Sequence, residues 1–161
     1  GMMNGMSATT FEPNGTLTRA QLVTVLYRHA GSPDVTGLPN PFADVAPQSW
    51  YAKAVIWAAA NGIVTGTDST SFSPDAKVTR EQLAAILYRY AQYRKLDTDA
   101  SAKLNSFTDA DSVSAYASEA LGWAVSEGLI NGASGKLMPK GDATRAQVAA
   151  ILHRFVKNVL N

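Results

Sequence analysis

Thr18-Arg19-Ala20-Gln21, Thr79-Arg80-Glu81-Gln82 and Thr144-Arg145-Ala146-Gln147 are one four-residue pattern met three times. Each copy opens a run whose apolar or aromatic side chains fall at i, i+3, i+4 and i+7, the buried stripe of an amphipathic helix. The first run carries Leu22, Val25, Leu26 and His29, the second Leu83, Ile86, Leu87 and Tyr90, the third Val148, Ile151, Leu152 and Phe155. Threonine followed three residues later by glutamine is a capping box: the hydroxyl takes a first-turn N–H and the amide side chain reaches back to the cap. Gln21, Gln82 and Gln147 therefore have a purely structural reading, which stands beside their candidacy as binding residues. The arginine is not needed for capping, and at the first helical position it faces the positive end of the helix dipole. A guanidinium beside free first-turn N–H groups is, however, an anion receptor, with a planar donor fork that matches a carboxylate or phosphate. The competing reading pairs each arginine with an acid of a neighbouring repeat, Asp44 or Asp109.

Working outward, a longer repeat surrounds the pattern. Phe42-Ala43-Asp44-Val45 aligns with Phe107-Thr108-Asp109-Ala110, Trp50 with Tyr116, Ala54 with Ala120, and Trp57-Ala58 with Trp123-Ala124. Gly62-Ile63-Val64-Thr65-Gly66 aligns with Gly128-Leu129-Ile130-Asn131-Gly132, and Phe72-Ser73-Pro74 with Leu137-Met138-Pro139. Gly1 to Gly5 and Phe11-Glu12-Pro13 match the same middle segments, so residues 1–30 read as a partial first repeat whose front half is missing. The second repeat covers 42–93 and the third 107–161. Linkers fall at 31–41, rich in Pro and Gly, and at 94–106, polar, although 93–96 could prolong the second long helix. Each full repeat predicts a short helix over about 49–61 or 115–127, ended by Gly62 or Gly128. A loop follows, with a short extended pair around Ile63-Val64 and Phe72, and then the capped long helix. The fold class is mainly α, a pseudo-threefold array with at most very short β segments, and with Ala54, Ala58, Ala120 and Ala124 admitting close helix approach.

Composition narrows the function. The 161 residues are 46% hydrophobic and 17% charged, with net charge +1, no basic run and no cysteine. That balance is globular rather than disordered. It argues against a nucleic-acid binder, which needs a concentrated positive face, and it excludes disulfides and thiolate metal sites. No apolar stretch approaches a membrane span. The opening Gly1-Met2-Met3-Asn4 reads as a cut end, so the absence of a leader there says nothing about export. No catalytic signature is present. His29 and His153 stand where the other repeats have aromatics, which makes them packing variants rather than bases. Asp97 with Asp99, and Asp109 with Asp111, are local loop pairs, and neither they nor the loop at Asp75 has the ligand density of a calcium site. No cofactor is expected.

The ordered set Phe-x-Asp-Val, Trp-Tyr, Gly-Ile-Val-x-Gly, Phe-x-Pro, Thr-Arg-x-Gln, recurring at a period near 60, resembles the S-layer homology domain over nearly the whole chain. The resemblance implies a pseudo-threefold helical body on the bacterial cell surface, a non-catalytic envelope anchor. Its partner would be an anionic secondary cell-wall polysaccharide, often pyruvylated, held in grooves between repeats; the alternative is a protein–protein or self-assembly module of a surface layer. It passes the anion-binding role to Arg19, Arg80 and Arg145 by position. The family's usual Glu is here Gln21, Gln82 and Gln147, which cap but bring no charge. The third repeat departs further, with Tyr116 for Trp50, Ala110 for Val45 and Leu137 for Phe72.

An acidic glycan needs a fixed cation, flat apolar faces and closely approaching backbone. The arginines supply the first, with Gln21, Gln82 and Gln147 as candidate glycan-binding residues beside them. Trp57 and Trp123 recur beside alanines and read as core, whereas Trp50 opens its helix and reads equally as groove lining. Gly66 and Gly132 permit close approach, or simply make turns with positive φ. Arg80 is expected to dominate, because its repeat is complete. The helix 18–30 has lost its own repeat's short helix, so something must cover Leu22, Val25 and Leu26: a second copy of the chain, as a homodimer, or the tail 155–160. The groove around Arg19 is accordingly expected to be the least complete.

Overall fold

The computed structural model describes residues 15–99, 102–132 and 134–160. The alignment of Gly1 to Gly5 and of Phe11-Glu12-Pro13 lies outside these residues. The described chain forms α1 (Arg19–His29), α2 (Ala52–Ala60), α3 (Arg80–Tyr93), α4 (Ser118–Ser126) and α5 (Arg145–Phe155), with 3₁₀ turns at Ala110–Ser112 and Ala115–Ala117 and a π-helical turn at Val156–Leu160. No strand longer than an isolated bridge forms among the described residues, so the extended pair expected at residues 63, 64 and 72 is absent. Those residues are buried instead as loop anchors in the core.

The three capping boxes close as the sequence dictates. Thr18, Thr79 and Thr144 accept from Gln21, Gln82 and Gln147 N–H, and each glutamine side chain accepts from its threonine N–H in return. At the other ends α2 and α4 stop in matching fashion: Ile63 N–H reaches Ala58 O and Gly62 N–H reaches Ala59 O, while Leu129 and Gly128 do the same to Ala124 and Val125. Gly62 and Gly128 sit at φ +72° and +74°, the left-handed residue this ending requires. The second long helix ends at Tyr93 by the same device, with Lys95 at φ +59° in the glycine's place and Leu96 N–H bonded to Ala91 O. It is not prolonged to 96. The short helices begin later than 49 and 115: Ser49 to Tyr51 make a turn, and the 3₁₀ turn Ala115–Ala117 precedes α4.

A ring of backbone pairings ties the repeats together. Thr18 bridges Lys77, Thr79 bridges Asp142 and Thr144 bridges Thr16, so the first repeat meets the second, the second the third, and the third returns to the first. Closure of this set makes the relation a rotation rather than a screw. Leu17, Val78 and Ala143, one from each repeat, are fully buried beside these bridges. Around the ring α1 packs on α2 and α3 on α4, and Ala54, Ala58, Ala120 and Ala124 of the short helices are buried. The long helix of one repeat thus pairs with the short helix of the next. Leu22, Val25 and Leu26 are buried inside this chain, which corrects the expectation that a second copy or the tail must cover them. The tail docks elsewhere, with Asn158 Nδ2 donating to Glu127 O at 3.0 Å.

Aromatics fill the far ends of the long helices. Tyr90 is fully buried and meets His29, Trp57, Tyr93 and Phe155; Trp123 meets Tyr88 and Phe155. Trp57 and Trp123 are core residues, as their spacing beside alanines suggested. His29 remains at the surface, with Nδ1 2.7 Å from Tyr90 Oη, and His153 is exposed rather than packed.

Candidate functional site

Each Phe-x-Asp segment builds the loop that carries a groove. Asp44 accepts from Phe72 and Ser73 N–H at 2.9 and 2.8 Å, and Asp109 accepts from Leu137 and Met138 N–H at 2.8 and 2.7 Å. Ser73 and Met138 are held at φ +59° and +51° by this clasp, a conformation that costs free energy in a non-glycine residue. These carboxylates are committed to backbone, and no ion pair joins Asp44 or Asp109 to an arginine among the described residues. The two N–H bonds that Asp109 accepts lower its pKa below the ordinary carboxylate value.

The same loops close off the helix ends. Arg19 and Ala20 N–H donate to Ala76 and Pro74 O, Arg80 and Glu81 N–H donate to Gly141 and Pro139 O, and Arg145 N–H donates to Gly15 O. With the threonine caps, the first-turn donors of α1 and α3 are already used. The expectation of free N–H groups beside the guanidinium is therefore wrong at Arg19 and Arg80, and anion binding there has to rest on the side chains.

Arg19 leaves its own repeat. It is only 5% exposed, its Nε donates to Phe72 O at 2.9 Å, and its guanidinium carbon sits 4.8 Å above the Phe72 ring. Burial lowers its pKa from the ordinary arginine value, and Tyr116 and Asp44 oppose that shift; arginine stays cationic throughout. Its terminal nitrogens have no hydrogen-bond partner among the described residues and open on a groove of about 450 Å³. Val64, Thr65, Gly66 and Thr67 form one side of it, and Gln82, Ala85, Ile86 and Arg89, at helical spacing on α3, form another. Tyr116, carried in by the 3₁₀ turn of the third repeat, is the rim. Burial raises the Tyr116 pKa, as does the charge of Glu81, so its phenol is a neutral donor at neutral pH. No carboxylate lines this groove among the described residues. Far from being the least complete, the Arg19 groove has walls from three repeats.

The equivalent groove one repeat on is smaller, about 160 Å³, and is lined by Arg80, residues 129–132, Leu137, Met138, Gln147, Ala150, Ile151 and Arg154. No aromatic lines it among the described residues. Gly66 and Gly132 line the two grooves but are fixed by packing: at φ +86° and +76°, a Cβ would fall 2.7 Å from Ser71 O or Lys136 O, and within 3 Å of the Phe42 or Phe107 ring. The turn reading of these glycines holds. Trp50 is 63% exposed, stands edge-on to Tyr51 and lines neither groove. Arg145 donates from Nε to Thr16 O at 3.1 Å, and Gln21 caps α1. Arg89 and Tyr116 are the functional candidates that motif reading missed. Their signal is in the sequence: arginine recurs at the tenth position of every long helix, as Arg28, Arg89 and Arg154.

The model of the S-layer homology domain matches residues 1–23, 41–84 and 106–149, and the chain belongs to this family. It is 34% identical over 97% of its length to an amylopullulanase of Thermoanaerobacterium thermosulfurigenes and 33% identical over 98% to an endoglucanase of Bacillus sp. (strain KSM-635). It is also 32% identical over 99% to the surface-layer 125 kDa protein of Lysinibacillus sphaericus. The chain spans only 8%, 17% and 13% of these relatives, so the enzyme names describe proteins of which this module is a small part. The S-layer homology domain is a non-catalytic cell-surface anchoring module of bacterial surface-layer proteins and surface enzymes. No helix of the described residues is long and apolar enough to cross a membrane, and they hold no cluster of metal-ligating side chains.

Proposed function

We propose that this chain anchors its parent protein noncovalently by taking an anionic secondary cell-wall polysaccharide, of the pyruvylated kind, into the groove beside Arg19. The supporting observation is the lining of that groove: two arginines, Arg19 and Arg89, whose terminal nitrogens have no protein partner among the described residues, face hydroxyls of Thr65, Thr67 and Tyr116 with no carboxylate among them. A pyruvate ketal presents a carboxylate for a guanidinium fork, and the Tyr116 ring offers a face for sugar C–H groups. Gln82 borders the same space. By the symmetry of the repeats, Arg145, Gln21, Arg28 and Trp50 hold the sequence positions that Arg19, Gln82, Arg89 and Tyr116 hold around this groove.

The test is binding of purified pyruvylated wall polysaccharide, with the depyruvylated polymer as control. Arg19→Ala and Arg89→Ala are each expected to weaken binding about ten- to hundredfold, since a charge-assisted hydrogen bond contributes about 1.5–3 kcal/mol. Arg19→Lys should lose much of the same, because lysine lacks the fork. Equal binding of both polymers, or unchanged affinity in both alanine variants with circular dichroism intact, would refute the reading.

A further inference from the structure

Arg19 and Arg80 occupy the same position in successive repeats, yet their side chains take different courses. Arg80 Nη2 donates to Gln147 Oε1 at 2.9 Å, and its Nη1 lies 3.4 Å from Met138 O. Arg154, the counterpart of Arg89, donates from Nη1 to Leu129 O at 3.1 Å. The terminal nitrogens of both cations of the second groove are therefore engaged by the protein itself, whereas those of the first groove's cations have no partner among the described residues.

Two sequence differences account for this. The guanidinium of Arg80 lies over Gly141, where a Cβ would collide with Nη1. The residue that accepts the first-turn N–H in the other groove is Ala76, which carries that Cβ. Arg19 instead stacks on the Phe72 ring, and the second groove has Leu137 at the position of Phe72, with no ring to offer. With no aromatic platform and an open space over glycine, Arg80 folds inward onto Gln147. The smaller volume of the second groove, about 160 against 450 Å³, is in keeping with that latched arrangement.

We propose that Gln147, Gly141 and Leu137 latch the second groove shut, so that of the two grooves only the one beside Arg19 takes a ligand, and that Ala76 and Phe72 are the residues that keep the latter open. This rests on the reading of the Arg19 groove as an anionic-glycan site. It also makes a gain of function available: Gly141→Ala with Leu137→Phe should turn Arg80 outward and give the second groove the character of the first.

The experiment is ¹⁵N NMR of the arginine side chains, without ligand and then with a methyl hexopyranoside bearing a 4,6-pyruvate ketal. Without ligand, hydrogen bonding to Gln147 should slow rotation of the Arg80 Nη groups relative to those of Arg19 and Arg89, and Gln147→Ala should abolish the difference. On titration the Arg19 and Arg89 Nε–H signals should shift while Arg80 and Arg154 stay in place. In the Gly141→Ala/Leu137→Phe variant, Arg80 should shift to an extent similar to Arg19. Equally fast rotation at Arg80 and Arg19, a ligand response at Arg80 in the unaltered protein, or no response at Arg80 in a folded double variant would each overturn the latch. Slow rotation at Arg80 with no arginine responding to the glycoside would support the latch and refute the glycan reading.

Discussion

His29 illustrates how a single residue couples to the fold. Its Nδ1 faces Tyr90 Oη at 2.7 Å, and Arg94 Nη1 donates to that same oxygen at 3.3 Å. The phenol is then the donor to a neutral imidazole, and a protonated ring would present a second donor to an oxygen already serving Arg94. Burial lowers the His29 pKa from its ordinary value, and the Arg94 charge lowers it further. With the folded pKa below the unfolded one, the unfolded state takes up the proton first. Stability is thus full above about pH 6.5, the ordinary value, and declines as pH falls from there towards the folded pKa. Thermal melts at pH 7.5 and pH 5 should show a smaller decrement for His29→Phe, the residue type of the third repeat, than for the unaltered chain. An equal decrement in both would remove His29 from the account. The sequence placed His29 correctly in register with Tyr90 and Phe155, but not the bond to Tyr90, because contacts between helices leave no trace in the spacing along either one. The same limit hid the partners of Asp44 and Asp109. Their recurrence was legible, whereas their role as acceptors for backbone 28 and 29 residues away was not.

At the scale of elements, the 3₁₀ turn Ala115–Ala117 depends on a residue of another repeat. Glu81 is 2% exposed and accepts from Ser114 N–H at 2.9 Å and from Ser114 Oγ at 2.8 Å; Lys140 stands 3.9 Å away but is largely in solvent. The carboxylate sits in the first turn of α3, where the helix dipole favours a negative charge. Ala20 and Ala146 hold the equivalent positions, so only this junction has the fastening, and it secures the turn that carries Tyr116 to the Arg19 groove. Glu81→Ala should cost about 1.5–3 kcal/mol, the range for hydrogen bonds to a charged group, and should speed amide exchange over residues 113–117 while leaving α1 and α2 protected. Unchanged exchange in that segment would show that the turn holds itself. The element types, their order and their caps were legible, because periodicity, capping boxes and terminal glycines are local signals. Which long helix takes which short helix was not. Sequence adjacency within a repeat suggested that α1 had lost its mate, whereas closure of the ring gives α1 the short helix of the following repeat.

At the scale of the molecule, that exchange of partners makes folding a property of the whole. The long helices of the first two repeats are covered by the short helix of the next, and their first turns give N–H groups to carbonyls of the next loop. Thr144 and Arg145 return to Thr16 and Gly15, from the last repeat to the first. A linear stack of repeats could unfold from one end, since each unit there meets only its neighbours. A closed ring has no end from which to begin. Cutting the chain in the linker 94–106 would leave Thr79, Arg80 and Glu81 without the loop at Pro139 and Gly141, and α3 without α4. Denaturant unfolding should therefore be a single transition at every probe. Trp57, against Tyr27, Tyr90 and Tyr93, reports on the first two repeats, and Trp123, against Tyr88 and Phe155, on the last two. In a Trp50→Phe background, Trp123→Phe and Trp57→Phe variants isolate one reporter each. After allowance for the stability lost with each tryptophan, both should give the same unfolding slope and a midpoint shared with far-ultraviolet circular dichroism of the same variant. A repeat that melts ahead of the others, seen as a fluorescence midpoint detached from the dichroism midpoint in one variant, would mean that the ring of backbone bridges does not couple the repeats.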